Sequence, residues 1–399
     1  MERFDTVVVG GGLLGCITAW MLARDGASVL LLEQGQVNQH ASGQNAGSLH
    51  FQLEYRMIER GIEAARVAAE AMPLHLEAAA LWARLADELG EPLGLVQGGG
   101  LMLAESAEQA ELLEAKSDLE RSWGLDVRML DRREVQDLAP YLSDTVVAAV
   151  HCPIEGKADT RIAAPAFARA AVRLGADIRT GSEVVSLTRH GTGWRIGIAG
   201  GSARGDLAQT VMADTVVVTA GVWTTRIGEL LGSPLPTIPL ALTMTVTMKQ
   251  EKFIPHLVQH AGARLSLKQS ADGNVLIGGG WPARLMRDAD DQADFTRRPR
   301  LIPSSLAGNA QAAKRVVPRL GGLPVLRTWV GTTTVTPDQL PLVGPVPHVP
   351  GVFVATGGSA FTLGPSFARV LSDLAQGRRP HLDLAPYSPL RYEGGRSAA

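Results

Sequence analysis

Apolar and polar positions along this chain repeat with a period that changes from segment to segment. Phe4–Val9 alternates little and is rich in β-branched residues, the pattern of a strand buried on both faces in a parallel sheet. Gly10–Gly12 breaks the run, Leu13–Arg24 can form a helix ending at Gly26, and Ser28–Leu32 is a second buried strand with Glu33 at its end. Strand, turn, helix and strand within about thirty residues make the unit from which parallel α/β sheets are built. The apolar run Thr6–Ala23 is long enough to suggest a membrane span. Three consecutive glycines, Arg3 and Asp5 before the run, and Arg24-Asp25-Gly26 closing it favour strand–turn–helix instead.

Further along, Tyr55 to Leu89 is rich in alanine and glutamate at helical spacing, 93–106 reads as strands and a turn, and helices are expected near 107–122 and 131–138. A second α/β stretch follows, a helix over 164–175 and a strand over 176–180. Residues 195–221 read as a meander closing on the strand Thr215–Thr219. Alternating strands dominate 235–330, as in ALTMTVTMKQ and GNVLIGGG, and the chain ends on a strand over 351–357 and a helix from Pro365 to Gln376.

Composition narrows the class. The 399 residues suggest two to three domains' worth of chain, with 45% hydrophobic and 20% charged residues, ordinary for a soluble globular protein. A net charge of −2 argues against a broad nucleic-acid or anionic-membrane surface. The two cysteines, Cys16 and Cys152, form no CxxC pair, so neither a metal site nor an iron–sulfur cluster is expected, and residence in the reducing cytoplasm is. MERFDT has no basic stretch leading into an apolar one, so no signal peptide is predicted.

The candidate chemistry begins at Gly10-Gly11-Gly12-Leu13-Leu14-Gly15, a GxGxxG between predicted strand and helix. Gly10 permits the tight turn, Gly12 lets backbone approach a pyrophosphate at the helix N-terminus, and Gly15 lets helix and strand pack closely. Glu33 is placed to accept hydrogen bonds from a ribose diol, which favours an unphosphorylated ribose. FAD is preferred over NAD for three reasons. VVVTAG (216–221) runs a strand into a small-residue turn. A helix beginning at Pro365 would aim free N–H groups at an isoalloxazine carbonyl. HASGQNAGSLHFQ (40–52) supplies small residues where backbone must pass a flat ring.

The glycine motif with Glu33, the SGxNAG stretch at 42–47, TAGVW at 219–223, and TPDQLPLVGP with VPGVFVATGGSAFTLGP together resemble the D-amino-acid oxidase/glycine oxidase family of FAD flavoproteins. Within it, NAGSLHFQ is most similar to the flavoprotein subunits of opine oxidases, with hydrogen cyanide synthase and hydroxyproline or D-amino-acid dehydrogenases close by. The resemblance implies a Rossmann-type α/β FAD-binding domain assembled from discontinuous segments (1–88, 151–228 and 328–399). A mixed α+β substrate-binding domain on an antiparallel-rich sheet would come from 89–150 and 229–327. It places the pyrophosphate on Gly10, Gly12, Leu13, Leu14 and Gly15, and the adenosine ribose on Glu33 and Gln34. Ser42, Gly43, Asn45, Ala46, Gly47 and Ser48 pass the pyrophosphate and ring, Val185 lies at the adenine, and Ala220, Gly221 and Trp223 form the second turn. Gly331, Gly358, Phe361, Thr362 and Leu363 surround the ring. Asp338 is expected to order its own loop.

The implied reaction is oxidation of a C–N bond next to a carboxylate, with hydride passing to flavin N5 and the imine hydrolysed by water. Such a site needs orientation and a cation or donors for the carboxylate more than a strong base. Candidates are His50, Gln52, Tyr55 and Arg56 on one side, and Arg264, Lys268, Arg327 and Thr332–Thr334 (Thr333 in particular) on the other. Lys268, on an alternating strand beside an Asp-Gly turn, reads as exposed more readily than buried. His40, in His-Ala-Ser-Gly, has two readings: a plain loop histidine, or a covalent flavin attachment as some relatives make in an H-A-A-G context. The leading expectation is a dehydrogenase of an opine, hydroxyproline or D-amino acid, with partner subunits carrying further redox centres or a quinone at the membrane as acceptor. A stand-alone oxidase using O2, and a non-catalytic flavin-bound subunit, stay open.

Overall fold

The computed structural model describes residues 1–199 and 207–393. The first strand, β1 (Arg3–Val9), is apolar throughout its second half because both faces are covered. Val8 enters one core, under the first helix, while Val7 and Val9 enter the core on the opposite face. Helix α1 (Leu13–Arg24) is buried from Leu13 to Ala23, and β2 (Val29–Leu32) pairs with β1 in parallel. Next come α2 (Ala41–Gln44) and β3 (Ser48–Leu49). The helical stretch expected over 55–89 is three helices: α3 (Tyr55–Ile58), α4 (Ile62–Ala69) and α5 (Met72–Leu89). Gly61, at φ 89°, makes the first break, and Pro73, which lacks an N–H, restarts the helix in the first turn of α5.

The chain continues through β4 (Gly100–Ala104), α6 (Ala107–Ser122), β5 (Arg128–Asp131), α7 (Arg132–Leu138), β6 (Ala148–Cys152) and β7 (Gly156–Lys157). Then follow α8 (Ala163–Arg173), β8 (Asp177–Arg179), β9 (Val184–His190), β10 (Gly193–Ala199), β11 (Leu207–Val218) and α9 (Thr224–Leu231). Of the predicted meander, residues 200–206 lie outside the described residues. The region expected to be strands supplies β12 (Ile238–Thr247), β13 (Leu257–His260), β14 (Ser266–Gln269) and β15 (Val275–Gly278), but also a helix, α10 (Pro303–Val316). Proline opens that helix, and Ser305, Asn309, Ala313 and Val316 recur on its buried side at helical spacing. The last elements are β16 (Val325–Val335), β17 (Leu342–Pro345), β18 (Val352–Thr356) and α11 (Gly364–Ala375).

Two sheets organise these elements. The first has the order β17-β18-β11-β1-β2-β8, parallel from β18 to β8, with β10 and β9 as an antiparallel extension of β11. Its strands come from the start, middle and end of the chain. The second has the order β16-β12-β15-β14-β13-β4-β6-β5 and is antiparallel except for β13 against β4. Its strands reach Cys152 and Val335, so the expected boundaries at 150/151 and 327/328 fall inside β6 and β16. One face of this sheet (Leu267, Val275 and Ile277) packs on Ala313 and Val316 of α10. The other face is turned toward the first sheet. Among the described residues no helix is long and apolar enough to cross a membrane.

Candidate active site

At the carboxyl ends of β1, β2 and β11, where α/β sheets bind ligands, a crevice is lined by Gly10, Gly11, Gly12, Glu33, Gln34, Ser42, Ala220, Gly221 and Trp223. Gly10 sits at φ +113°, and a Cβ there would lie 2.6 Å from the Thr219 carbonyl oxygen. A Cβ on Gly15 would lie 1.9 Å from the Gly10 carbonyl oxygen, so α1 packs on the turn only because residue 15 is glycine. The side chains of Leu13 and Leu14 are buried as α1 begins, and the Leu13 N–H donates to Ser42 Oγ at 2.9 Å. Glu33 is nearly buried, its oxygens accepting from the N–H groups of Gly11 and Gly35, each at 2.7 Å. These two bonds fix the carboxylate at the end of β2, and each oxygen keeps a lone pair for a hydroxyl. Val184, rather than its neighbour Val185, lines the crevice.

The glycine cradle and the fixed acid fit the adenosine and pyrophosphate of a dinucleotide. A further lining residue, Asn38, was missed by sequence reasoning. It adopts φ 66°, donates through Nδ2 to Thr160 O at 2.7 Å, and leaves its buried Oδ1 without a hydrogen-bond partner. An asparagine a few residues after the strand-end acid was the signal available.

The crevice opens into a cavity of about 2030 Å³ between the two sheets, and Gln34, His40, Trp223 and Thr332 line both spaces. Gly43, Asn45 and Ala46 form one wall. Asn45 locks this loop: its Nδ2 donates to Ala41 O and Ser42 O, and its Oδ1 accepts from the Gly47 N–H. Gly47 is at φ +71°, where a Cβ would strike Ala158 O at 2.1 Å. Opposite, β16 lies against the loop: Trp329 Nε1 donates to Gln44 O at 2.8 Å, and Gly331 faces Gln44. His40 meets Trp223 edge to face at a 4.8 Å ring separation.

The catalytic candidates separate into groups. His50 is buried, with Nε2 3.0 Å from Ser266 Oγ and its backbone N–H donating to Thr362 Oγ1. Burial pushes its pKa down to about 4 against the opposing pull of Glu54, so the imidazole is neutral at pH 7. Gln52 does not line the cavity. It is fully enclosed in a strut where Nε2 donates to Glu155 Oε2 and Oε1 accepts from Lys116 Nζ, both at 3.0 Å. Glu155 Oε1 also accepts from the N–H groups of Phe51 and Gln52, and Glu120 Oε1 accepts from that of Leu53. The strut therefore holds the backbone that carries His50, and burial raises the Glu155 carboxyl to about 7.

Arg56 is likewise outside the cavity lining. Its guanidinium donates to Gln339 Oε1 (2.7 Å), Ser359 Oγ (2.9 Å) and Glu54 Oε1 (3.2 Å) and lies against Gly358, clamping the loop before α11. Tyr55 begins α3 beside it. In the clamped loop Phe361 stacks on Trp82, whose Nε1 donates to Thr362 O, and Leu363 caps α11. Thr333 pairs with Leu240 and does not line the cavity, whereas Thr332 does; Arg264 is exposed and bonded to Gly280 O. Asp338 orders its own loop, accepting from the Leu340 N–H and from Arg391.

The exposed reading of Lys268 is corrected. It is 2% exposed, lines the cavity, and donates from Nζ to Ser48 Oγ at 2.8 Å. The Asp-Gly turn was real, but the strand before it is the inner edge of the cavity rather than a surface ribbon. Arg327 also lines the cavity, over the Trp329 ring at 5.0 Å.

A family model described as FAD dependent oxidoreductase (DAO) matches residues 5–374. Glycine oxidase of Geobacillus kaustophilus (strain HTA426) is 27% identical over 98% of both chains. An opine oxidase subunit of Rhizobium meliloti is 27% identical over 98% of this chain and 99% of its own. The crystal structure of glycine oxidase from Geobacillus kaustophilus superposes with a TM-score of 0.85 at 26% identity, covering 98% of this chain and all of that one.

Proposed function

We infer the function of this chain from its family and its site together: it belongs to the DAO family of FAD-dependent oxidoreductases, and we propose that it oxidises the C–N bond of an amino acid or secondary amine that carries a carboxylate. The observation that carries the reading is the continuity of crevice and cavity. Gly10–Gly15 would hold the diphosphate and Glu33 the ribose of a dinucleotide, and the crevice they line continues past His40 and Trp223 into the cavity under the second sheet. FAD, when bound, supplies a ring that accepts a hydride from the carbon beside nitrogen. The chain's own residues do the rest. The loop 42–48 and the clamped loop 357–363 would hold the ring, the second sheet would exclude bulk water above it, and Lys268, Ser48 and Ser266 would orient the substrate.

Similarity to the opine oxidase subunit supports a secondary amine of the opine type, handled with a partner protein. With two cysteines this chain cannot ligate an iron–sulfur cluster itself, so a partner or a quinone would take the electrons. Both cysteines are buried and unpaired, in keeping with a cytoplasmic protein. Similarity to glycine oxidase supports the second reading, a stand-alone oxidase passing electrons to O2. The test is anaerobic mixing of the holoprotein with opines, D- and L-amino acids, sarcosine and hydroxyprolines. Loss of oxidised-flavin absorbance with one class is expected. Flavin that no amine bleaches but an external donor does would leave only an electron-relaying role. Hydrogen peroxide on readmission of air would select the oxidase reading.

A further inference from the structure

The cavity face of the second sheet contains one cross-strand row with a cation at each end. Arg327 on β16 pairs with Val246 on β12, Val246 pairs with Leu276 on β15, and Leu276 pairs with Lys268 on β14. Residues directly opposite one another share a face, and all four line the cavity. Three strand spacings of about 4.8 Å put the two cation-bearing backbones roughly 14 Å apart, with an apolar strip between them. Long side chains leaning inward shorten that span.

Among the described residues, neither cation forms an ion pair with a carboxylate. Lys268 is almost fully buried, and its ammonium donates to the Ser48 hydroxyl. The nearby acid, Asp159, has both oxygens engaged by Arg161. Burial, with Lys157 adding to it and Asp159 only partly opposing it, pushes the Lys268 pKa well below its ordinary value, which expresses the cost of a buried charge that no direct ion pair offsets. At the other end, no carboxylate among the described residues pairs with Arg327, whose guanidinium rests on Trp329. An anion arriving at either end supplies what the chain leaves out.

We propose that this row reads the charge of the substrate: Lys268 takes the carboxylate beside the oxidised C–N bond, Arg327 takes a second carboxylate on the other nitrogen substituent, and Val246 and Leu276 underlie the carbon chain between them. The substrate class is then a secondary amine with a carboxylate on each arm, a dianion rather than a simple amino acid. The assignment rests on the amine-oxidation reading, and it gives the two cations different jobs. Lys268 serves every carboxylate-bearing substrate, whereas Arg327 distinguishes two charges from one.

The test uses the holoenzyme and ligands that cannot be oxidised, so that binding is read from the perturbation of flavin absorbance without turnover. Butyrate carries one carboxylate and glutarate two. Wild type is expected to hold glutarate about fivefold tighter than butyrate, the upper end of what an exposed ion pair supplies. Lys268→Met weakens both by about 30-fold or more, because it removes a buried charge partner. Lys268→Arg, which keeps the charge, retains more of the binding and stands in if the methionine variant fails to fold. Arg327→Gln weakens glutarate about fivefold and butyrate less than about twofold. Equal weakening of the two ligands by Arg327→Gln, or unchanged binding in both Lys268 variants, overturns the assignment. Bleaching by the amine panel separates the premises. If amines bleach the flavin but glutarate is not preferred, the row is misread and amine oxidation stands. If glutarate is preferred and no amine bleaches the flavin, the row stands as an anion reader and the reaction is misread.

Discussion

The cavity has a floor and a roof, and the two are made by different means. The floor is the glycine turn, Glu33 and the loop through Gly47, where backbone meets backbone at close range (Gly10 on Thr219 O, Gly47 on Ala158 O) and side chains bond to nearby N–H and C=O groups. The roof draws Lys268, Leu276, Val246 and Arg327 from four strands and makes a surface of them only through register. A floor of this kind tolerates no added atom, because its geometry is contact-limited. A roof of this kind tolerates a changed side chain, because the strands keep their pairing and only the chemistry of the face changes.

Gly15→Val strikes the floor hardest. Its Cβ would sit 1.9 Å from Gly10 O and 2.8 Å from Thr219 Oγ1, so either α1 or the turn must move. Complete loss of bound flavin is expected, read from the ratio of flavin to protein absorbance in whatever protein folds. Arg327→Gln, on the roof, should keep its flavin. A Gly15→Val protein with full flavin content would show that the floor yields as readily as the roof.

The same contrast explains what was legible in the sequence. GxGxxG, Glu33 and the SGxNAG loop announce themselves because neighbours in sequence are neighbours in space, and β1, α1 and β2 appear within a residue or so of where the hydrophobic pattern puts them. Lys268 was misjudged because alternation tells which residues share a face but not which face is the inner one. Gln52 and Arg56, expected beside the substrate, lie outside the cavity lining, and the partners that hold them, Glu155, Lys116, Gln339 and Ser359, lie between 64 and 303 residues away. No local period carries that information. Helix α10 was missed because its buried side holds Ser305 and Asn309 beside Ala313 and Val316, a stripe too polar to stand out.

Between floor and roof stands the strut, and Lys116→Met tests whether it bears on both. Lys116 and Glu120 are wholly enclosed, 2.8 Å apart, and Glu120 also holds the Leu53 N–H. Removing the ammonium leaves a buried carboxylate with no counter-charge, a loss of about 3–5 kcal/mol. A lowered thermal midpoint and weaker amine turnover are expected together, since the backbone of His50 hangs from this network. An unchanged midpoint would mean that Glu120 takes up a proton at little cost and the strut is dispensable.

The smallest effect concerns protons where the floor meets the clamp. His50 and His75 are both held near pKa 4, chiefly by burial, with Glu54 pulling the other way in each case. Glu54 itself is held near 2: burial raises it, but Arg56, His50 and the Ser359 hydroxyl together outweigh that. All three values lie below those of the unfolded chain, so all three act with the same sign. For the histidines, stability is whole above about pH 6.5 and falls as the pH drops toward 4, because the unfolded chain takes up protons that the folded one refuses. For Glu54 the window is lower, from about 4.5 down to 2. At pH 5.5 each histidine therefore costs about 1 kcal/mol relative to pH 7.5. His50→Gln should remove about that much of the acid-side loss, measured as denaturation midpoints at pH 7.5, 6.5 and 5.5. His256, behind the roof and also near 4 through burial, keeps its own share of the slope. If His50→Gln leaves the slope unchanged, His50 takes up its proton at the same pH in the folded and unfolded chain, and below about pH 6.5 it would bring a positive charge to Ser266 and the substrate.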